Sequence, residues 1–292
     1  MSIPPLQQLI KLATVVLQLE LRISRIESIM GISRNHDTPA EAKQRIIEIF
    51  TTNVKNKPIE IQTSNSHCGG EGHWLEKQMG LTPNSSNTPD IYGYEMKKMS
   101  PKITFGDFSA SEYAFSQHRP NITAYNEWDN FTMSRVEFIK YFGEPNASKH
   151  NRFSWSGKPV PSYYNTTSVC GQTLRIHGDD IAITYNFAYD TRERAKDFPA
   201  ELKRKECIIA LWSADKMRAH INNKFNSNGF FVCVKNNNVY DKIIFGRPFN
   251  FDEFIQGIKD KKIIFDSGMY QTNSRNYSQF RATDFWTTLL ER

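Results

Sequence analysis

No stretch of this chain approaches the roughly 20 uninterrupted apolar residues of a membrane-spanning helix, which excludes a membrane channel. Cysteine is scarce. Cys68, Cys170, Cys207 and Cys233 are widely spaced and form no Cys-x-x-Cys pair, so a disulfide framework and a zinc knuckle are excluded, and buried thiols in a reducing cytoplasm are expected. Gly-x-Ser-x-Gly, a Ser-His-Asp arrangement and the phosphate-cradling Gly-Lys-Ser/Thr are all missing, which removes support for serine-hydrolase and nucleotide-hydrolase chemistry. Internal repeats and low-complexity linkers are missing too. What remains is 292 residues, 39% hydrophobic and 13% aromatic, enough to bury a core in one large domain or two modest ones. A net charge of +6 with pI near 9.0 permits a polyanionic partner without requiring one.

The apolar residues from Leu6 through Leu17 follow a helical period that continues to Met30, where Gly31 stops it. Lys11 and Glu20 interrupt this segment and Pro4-Pro5 precede it, so it reads as an ordinary buried helix and not as a signal peptide. Thr38 as N-cap, Pro39 at the first helical position and Glu41 closing a capping box predict a second helix with Ile46, Ile49 and Phe50 buried. A third, short helix runs from His73 to Met79, after the glycine-rich entry Gly69 to Gly72, and ends at Gly80. The run Asp90-Ile91-Tyr92 and the run from Tyr94 to Lys97 read as two strand pieces around Gly93. Strands are expected at 181–187, 207–211 and 230–234, with a helix starting near Ser213 and another capped by Asn250 and Glu253. His177-Gly178-Asp179-Asp180 reads as a hairpin turn. Interleaved strands and helices of this kind favour an α/β (α+β) fold around a central mixed sheet flanked by helices.

Chemistry concentrates at Pro89-Asp90 and Glu95-Met96-Lys97. Glu95 and Lys97 are two apart, so on a strand their side chains leave the same face. A tight turn at Gly93 can return Asp90 beside Glu95. Two adjacent carboxylates repel each other, and Mg²⁺ is the natural remedy because it prefers hard oxygen ligands and keeps several waters. Lys97 would then hold or polarise a water and offset charge on a phosphate, which is what phosphodiester hydrolysis needs. The bland alternative is a solvated Glu-x-Lys strand face. Context weighs against it, because a glycine-rich entry leads into a helix carrying another acid, Glu76.

The order and spacing of Gly72-His73-Trp74-Leu75-Glu76, Gly80-Leu81, an Asn-containing loop, and the run from Pro89 to Lys97 resembles the MvaI/BcnI-like type II restriction endonucleases. These belong to the MutH-like branch of the PD-(D/E)xK nucleases. The likeness covers residues 69–98, about a tenth of the chain. It implies that Asp90 and Glu95 bind the metal, with the Met96 carbonyl as a further ligand, and that Lys97 is the catalytic lysine. Glu76 would support the site or a second metal. Met96 stands where leucine is usual, and His73-Trp74 is bulkier than the small residues usual there.

A second likeness to the same family's recognition segment spans Asp266 to Arg281, although the family's histidines are missing from it. Read by themselves, Arg275 and Arg281 can donate to guanine or phosphate, Gln271, Asn273, Asn276 and Gln279 can read adenine, and Asp266 can accept from cytosine. Tyr277 lies among them. Lys224, at a helix end, could contact phosphate or simply complement the helix dipole.

The combined expectation is a PD-(D/E)xK core with two lobes around a DNA cleft: an N-terminal helical segment (1–35), a catalytic lobe (36–150) and a recognition and clamping lobe (151–292). The function it implies is Mg²⁺-dependent, sequence-specific hydrolysis of double-stranded DNA to 5′-phosphate ends by a cytoplasmic monomer. A cognate DNA methyltransferase would be a functional, not a physical, partner. Two alternatives stay open: a MutH-like nicking enzyme that a partner activates, and a sequence-specific DNA-binding protein without catalysis.

Overall fold

The structure, a computed structural model, describes residues 14–16, 18–20, 22–23, 38–60, 70–81, 87–128 and 130–291. After the helical residues within 14–23, the numbered elements start with α1 (Pro39–Asn53), α2 (Gly70–Gln78) and β1 (Tyr94–Lys98). Next come β2 (Ile103–Asp107), β3 (Glu112–Tyr113), α3 (Pro120–Asn126), α4 (Arg135–Phe142), β4 (Glu144–Asn146) and β5 (Arg152–Trp155). The long hairpin β6 (Cys170–His177) and β7 (Asp180–Asp190) precedes β8 (Cys207–Trp212) and α5 (Ala214–Phe225). Then β9 (Gly229–Asn236), β10 (Val239–Gly246), α6 (Phe251–Lys259), β11 (Ile263–Ser267), β12 (Met269–Tyr270), β13 (Ser278–Ala282) and α7 (Asp284–Leu289) complete the order.

Local signals translated directly. Thr38 Oγ1 accepts from Glu41 N while Glu41 Oε2 accepts from Thr38 N at 2.7 Å, the expected capping box, and Ile46, Ile49 and Phe50 are buried. Asn250 and Glu253 cap α6 in the same way. Gly178, at φ +65°, turns the chain between β6 and β7. The N-terminal segment differs from expectation where it is described: its helical residues Val15, Val16, Leu19 and Ile23 are exposed, not buried. Their apolar side chains meet no core among the described residues.

The chain forms two compact units that interleave in sequence. One gathers Met1–Met99, Asn223–Pro248 and Leu290–Arg292; the other gathers Ser100–Asn222 and Phe249–Leu289. The first holds a mixed three-stranded sheet in the order β1-β9-β10, with β9 parallel to β1 and antiparallel to β10. Ile46, Ile49 and Phe50 of α1, and Trp74, Leu75 and Met79 at α2, pack on this sheet against Met96, Phe231 and Tyr240. Gly80, at φ +78°, ends that helical stretch in the left-handed region. The second unit holds three antiparallel sheets, ordered β11-β13-β2, β12-β5-β4 and β3-β8-β7-β6. The mixed sheet read from the sequence is thus the small one carrying Glu95 and Lys97.

Aromatic rings dominate the second core, where Trp155 lies against Phe138 and Phe265. Gln172, fully buried, ties that core together: it accepts from Trp155 Nε1 at 2.7 Å and donates to the Phe142 and Pro159 carbonyls, each at 2.7 Å. Replacing it with Leu strands one donor and two acceptors in apolar surroundings, and the expected loss of unfolding free energy is roughly 3 kcal/mol. Denaturant unfolding checks this, and a loss well under 1 kcal/mol would contradict it. Cys170, Cys207 and Cys233 are free and buried, and burial pushes the thiols of Cys170 and Cys233 up to about 12. Cys68 lies outside the described residues.

Candidate active site

The acidic motif is built on a two-residue turn. Ile91 and Tyr94 exchange both backbone hydrogen bonds, at 3.0 and 2.8 Å, and the central residues Tyr92 and Gly93 have φ of +47° and +78°. Positive φ at both positions matches the twist of paired strands. Glycine adopts it freely; for Tyr92 it costs about 1–2 kcal/mol. Asn228 holds the turn from outside. Its backbone N donates to Gly93 O at 3.1 Å and its Nδ2 to Tyr92 O at 2.9 Å.

The turn sends the chain back so that Met96 N donates to Asp90 Oδ2 at 2.9 Å, which pins the Asp90 carboxyl beside the strand carrying Glu95. Glu95 pairs in register with Phe230 of β9 and is only 2% exposed. Glu95 and Lys97 leave one face of β1, and Lys97 Nζ lies 2.7 Å from Glu95 Oε1 and 5.5 Å from the centroid of the Phe225 ring. Lys224 Nζ reaches the same Glu95 oxygen at 3.1 Å. Burial, and then the Glu95 charge, push the Asp90 carboxyl from its ordinary 3.8 to about 7.

This donor set fits a divalent cation. Glu95 Oε2 is buried without a hydrogen-bond partner among the described residues, and the neighbouring Asp90 is a carboxyl whose ionised form lacks sufficient compensation. Among the described residues, no group of three or more His, Cys, Asp or Glu side chains gathers in ligating geometry. Glu76 sits on α2 with its carboxylate 3.4 Å from His73 Nδ1. The acid of that helix most engaged with the sheet is Glu71. Burial would raise its carboxyl, but Tyr240, Lys235 and Lys98 all donate to it, and the net effect lowers it.

The C-terminal polar segment places Asp266 on β11, Gln279 and Arg281 on β13, and Gln271, Asn273, Arg275, Asn276 and Tyr277 in the loop between β12 and β13, and most of its amides are hydrogen-bonded within the protein. Gln271 Oε1 accepts from Phe153 N at 2.8 Å. Asn273 Oδ1 accepts from Tyr270 N and from Arg135 Nη2, and Asn276 Oδ1 from Arg135 Nε at 2.9 Å. Arg135 also donates to the Arg275 carbonyl at 2.8 Å. Gln279 is buried, donates to the Tyr277 hydroxyl and accepts from Arg281, whose Nε lies 3.0 Å from Asp266 Oδ2. Arg275 is the outward-facing member, 71% exposed, with Nη2 2.7 Å from Asp107 Oδ2. Sequence reading missed Arg135, Asp107 and Asn228. Only Asn228 left a local trace, as part of the turn-forming Asn-Ser-Asn-Gly run.

Three comparisons bear on this geometry. The solved complex of the restriction endonuclease MvaI with its cognate DNA substrate superposes with a TM-score of 0.55 at 14% identity, covering 84% of this chain and 94% of that one. At that identity the match speaks to fold alone, and it is consistent with a PD-(D/E)xK-like fold. The type II restriction enzyme ScrFI of Lactococcus lactis subsp. cremoris is 38% identical over 265 residues, 85% of this chain and 97% of ScrFI. Residues 51–292 match the LlaMI restriction endonuclease family. With Asp90 brought back by its turn beside Glu95 and Lys97 of β1, these matches lead to one conclusion: the chain belongs to the LlaMI restriction endonuclease family and is a type II restriction endonuclease, a site-specific deoxyribonuclease.

Proposed function

We propose that this enzyme hydrolyses double-stranded DNA at a short specific sequence with Mg²⁺, as a cytoplasmic monomer, leaving 5′-phosphate and 3′-hydroxyl ends. A cognate methyltransferase protects the same site on the host's DNA without binding the nuclease. The observation that carries this reading is the buried Glu95, with Lys97 on one oxygen and no hydrogen-bond partner among the described residues on the other.

Asp90, Glu95 and the Met96 carbonyl would hold the cation, with Glu76 in support. Mg²⁺ bound there supplies Lewis-acid stabilisation to the phosphate and makes water a better nucleophile. Asp90 is oriented for this by the Met96 amide. Lys97 brings an ammonium charge, fixed beside the carboxylates, towards the negative charge that develops on phosphorus oxygens during in-line attack. Site recognition falls to the segment from Asp266 on β11 to Arg281 on β13, with the loop between β12 and β13 at its centre. Arg275 reaches the base edges, with Asp266 and Arg281 beside it. Gln271, Asn273, Asn276, Tyr277 and Gln279 hold its shape, so their contribution to recognition is chiefly indirect.

Purified protein incubated with unmethylated phage DNA is expected to yield discrete fragments in Mg²⁺, and none in EDTA or with Asp90→Ala. Sequencing the ends reads out the site and the 5′-phosphate. Uncut DNA in both Mg²⁺ and Mn²⁺, from folded protein, would overturn the proposal.

A further inference from the structure

We propose that Lys224 is a second active-site lysine, contacting the scissile phosphodiester, so that two ammonium groups face the substrate where the motif supplies one. The inference rests on the nuclease reading above and deepens it.

Two cations, Lys97 and Lys224, converge on a single oxygen of Glu95 at 2.7 and 3.1 Å, while its other oxygen is buried and has no hydrogen-bond partner among the described residues. Had both lysines served only to neutralise Glu95, each carboxylate oxygen would take one. The two side chains are 10% and 14% exposed, so their charges are largely withdrawn from water beside the Glu95 and Asp90 carboxyls. Were a divalent cation to share those two carboxyls, the two ammonium groups would leave a net positive site, which an incoming phosphodiester balances by bringing one negative charge per link. Placement agrees. Lys224 lies in the last turn of α5, and the segment that follows it is fastened to the catalytic turn through Asn228, which fixes the ammonium relative to Asp90, Glu95 and Lys97.

The test uses the whole chain and a duplex oligonucleotide containing the sequence at which the wild type cuts phage DNA. Binding is measured in Ca²⁺ across a salt series, and cleavage in Mg²⁺. Lys224→Gln is expected to make the slope of log K against log [salt] shallower by about 0.9, one phosphate contact. Its single-turnover cleavage is expected to fall at least about 100-fold. Lys224→Arg, which keeps the charge, is expected to keep the wild-type slope. Slower cleavage with an unchanged slope for Lys224→Gln would overturn the phosphate contact and leave Lys224 acting on Glu95 alone. Should Lys224→Gln fail to melt cooperatively, Lys224→Arg decides the matter, because a slope reduced despite the retained charge contradicts the proposal. A wild type that neither cuts nor binds duplex DNA sinks the nuclease reading itself, whereas a cutting wild type matched by Lys224→Gln in slope and rate sinks only this assignment.

Discussion

Asp90→Asn is expected to cut DNA at least about 1,000-fold more slowly than the wild type, yet to be the more stable protein when no metal is present. The amide keeps the hydrogen bond from Met96 N but cannot carry the charge that a hard cation requires. The stability effect follows from proton linkage. Burial, with the Glu95 charge, raises the folded carboxyl from 3.8 to about 7, so the native state holds a proton that the unfolded chain has released. Stability from this group is fully present below pH 4. It falls as pH rises towards 7 and stays lost above, a total of at most about 4 kcal/mol. Asparagine has no such dependence. In EDTA, the Tm advantage of Asp90→Asn over wild type is therefore expected to grow between pH 5 and pH 8.5. Saturating Mg²⁺ at pH 8.5 reverses the order, because only the wild type gains from binding it. Parallel Tm curves at all pH values would show that Asp90 is not held in the environment described.

The second large effect is expected far from any acid. Gly229 opens β9 directly opposite Tyr94, at φ +97°, and a Cβ there would lie 2.4 Å from Gly246 O and 2.8 Å from Arg247 C and Pro248 N. These are backbone atoms with nowhere to go, and the backbone conformation itself disfavours any L side chain. Gly229→Ala is expected to lose about 3 kcal/mol or more, lowering Tm by roughly 10 °C. Cleavage should be lost as well, because the next residue along, Phe230, is the strand partner of Glu95. Thermal melting with cleavage at a permissive temperature checks both, and a Tm within error of wild type would refute the packing argument.

Much of the site was legible because it is local. The Asp90 turn, the shared face of Glu95 and Lys97, and the capping boxes at Thr38 and Asn250 each depend on residues within a few positions of one another. Partners distant in sequence were not legible. Lys224 was readable as a helix-end lysine, but nothing near it announces Glu95, since the parallel pairing of β1 with β9 that brings them together leaves no local pattern. The partners of the polar loop were not legible for a different reason. Amides such as Asn273 and Asn276 bond to their own neighbourhood as readily as to a base, and here Arg135, distant in sequence, claims them. The sheets show the same limit. Strand positions could be read from apolar runs, whereas their sorting into one mixed and three antiparallel sheets depends on pairings that no single run contains.

The interleaving of the two units also bears on how the enzyme comes into being. A ribosome that has released residues up to Asn222 has already made Glu76, Asp90, Glu95 and Lys97, but not β9, which seats Glu95, nor Asn228, which clasps the turn. Closing so long a stretch of chain is slow compared with forming a helix or hairpin. If the motif is catalytic, as proposed above, the nascent polypeptide is expected to stay inert until β9 has been made, and a truncated product ending before β9 would carry the full motif without the strand that seats Glu95, and so pose no hazard to the genome of the cell that made it.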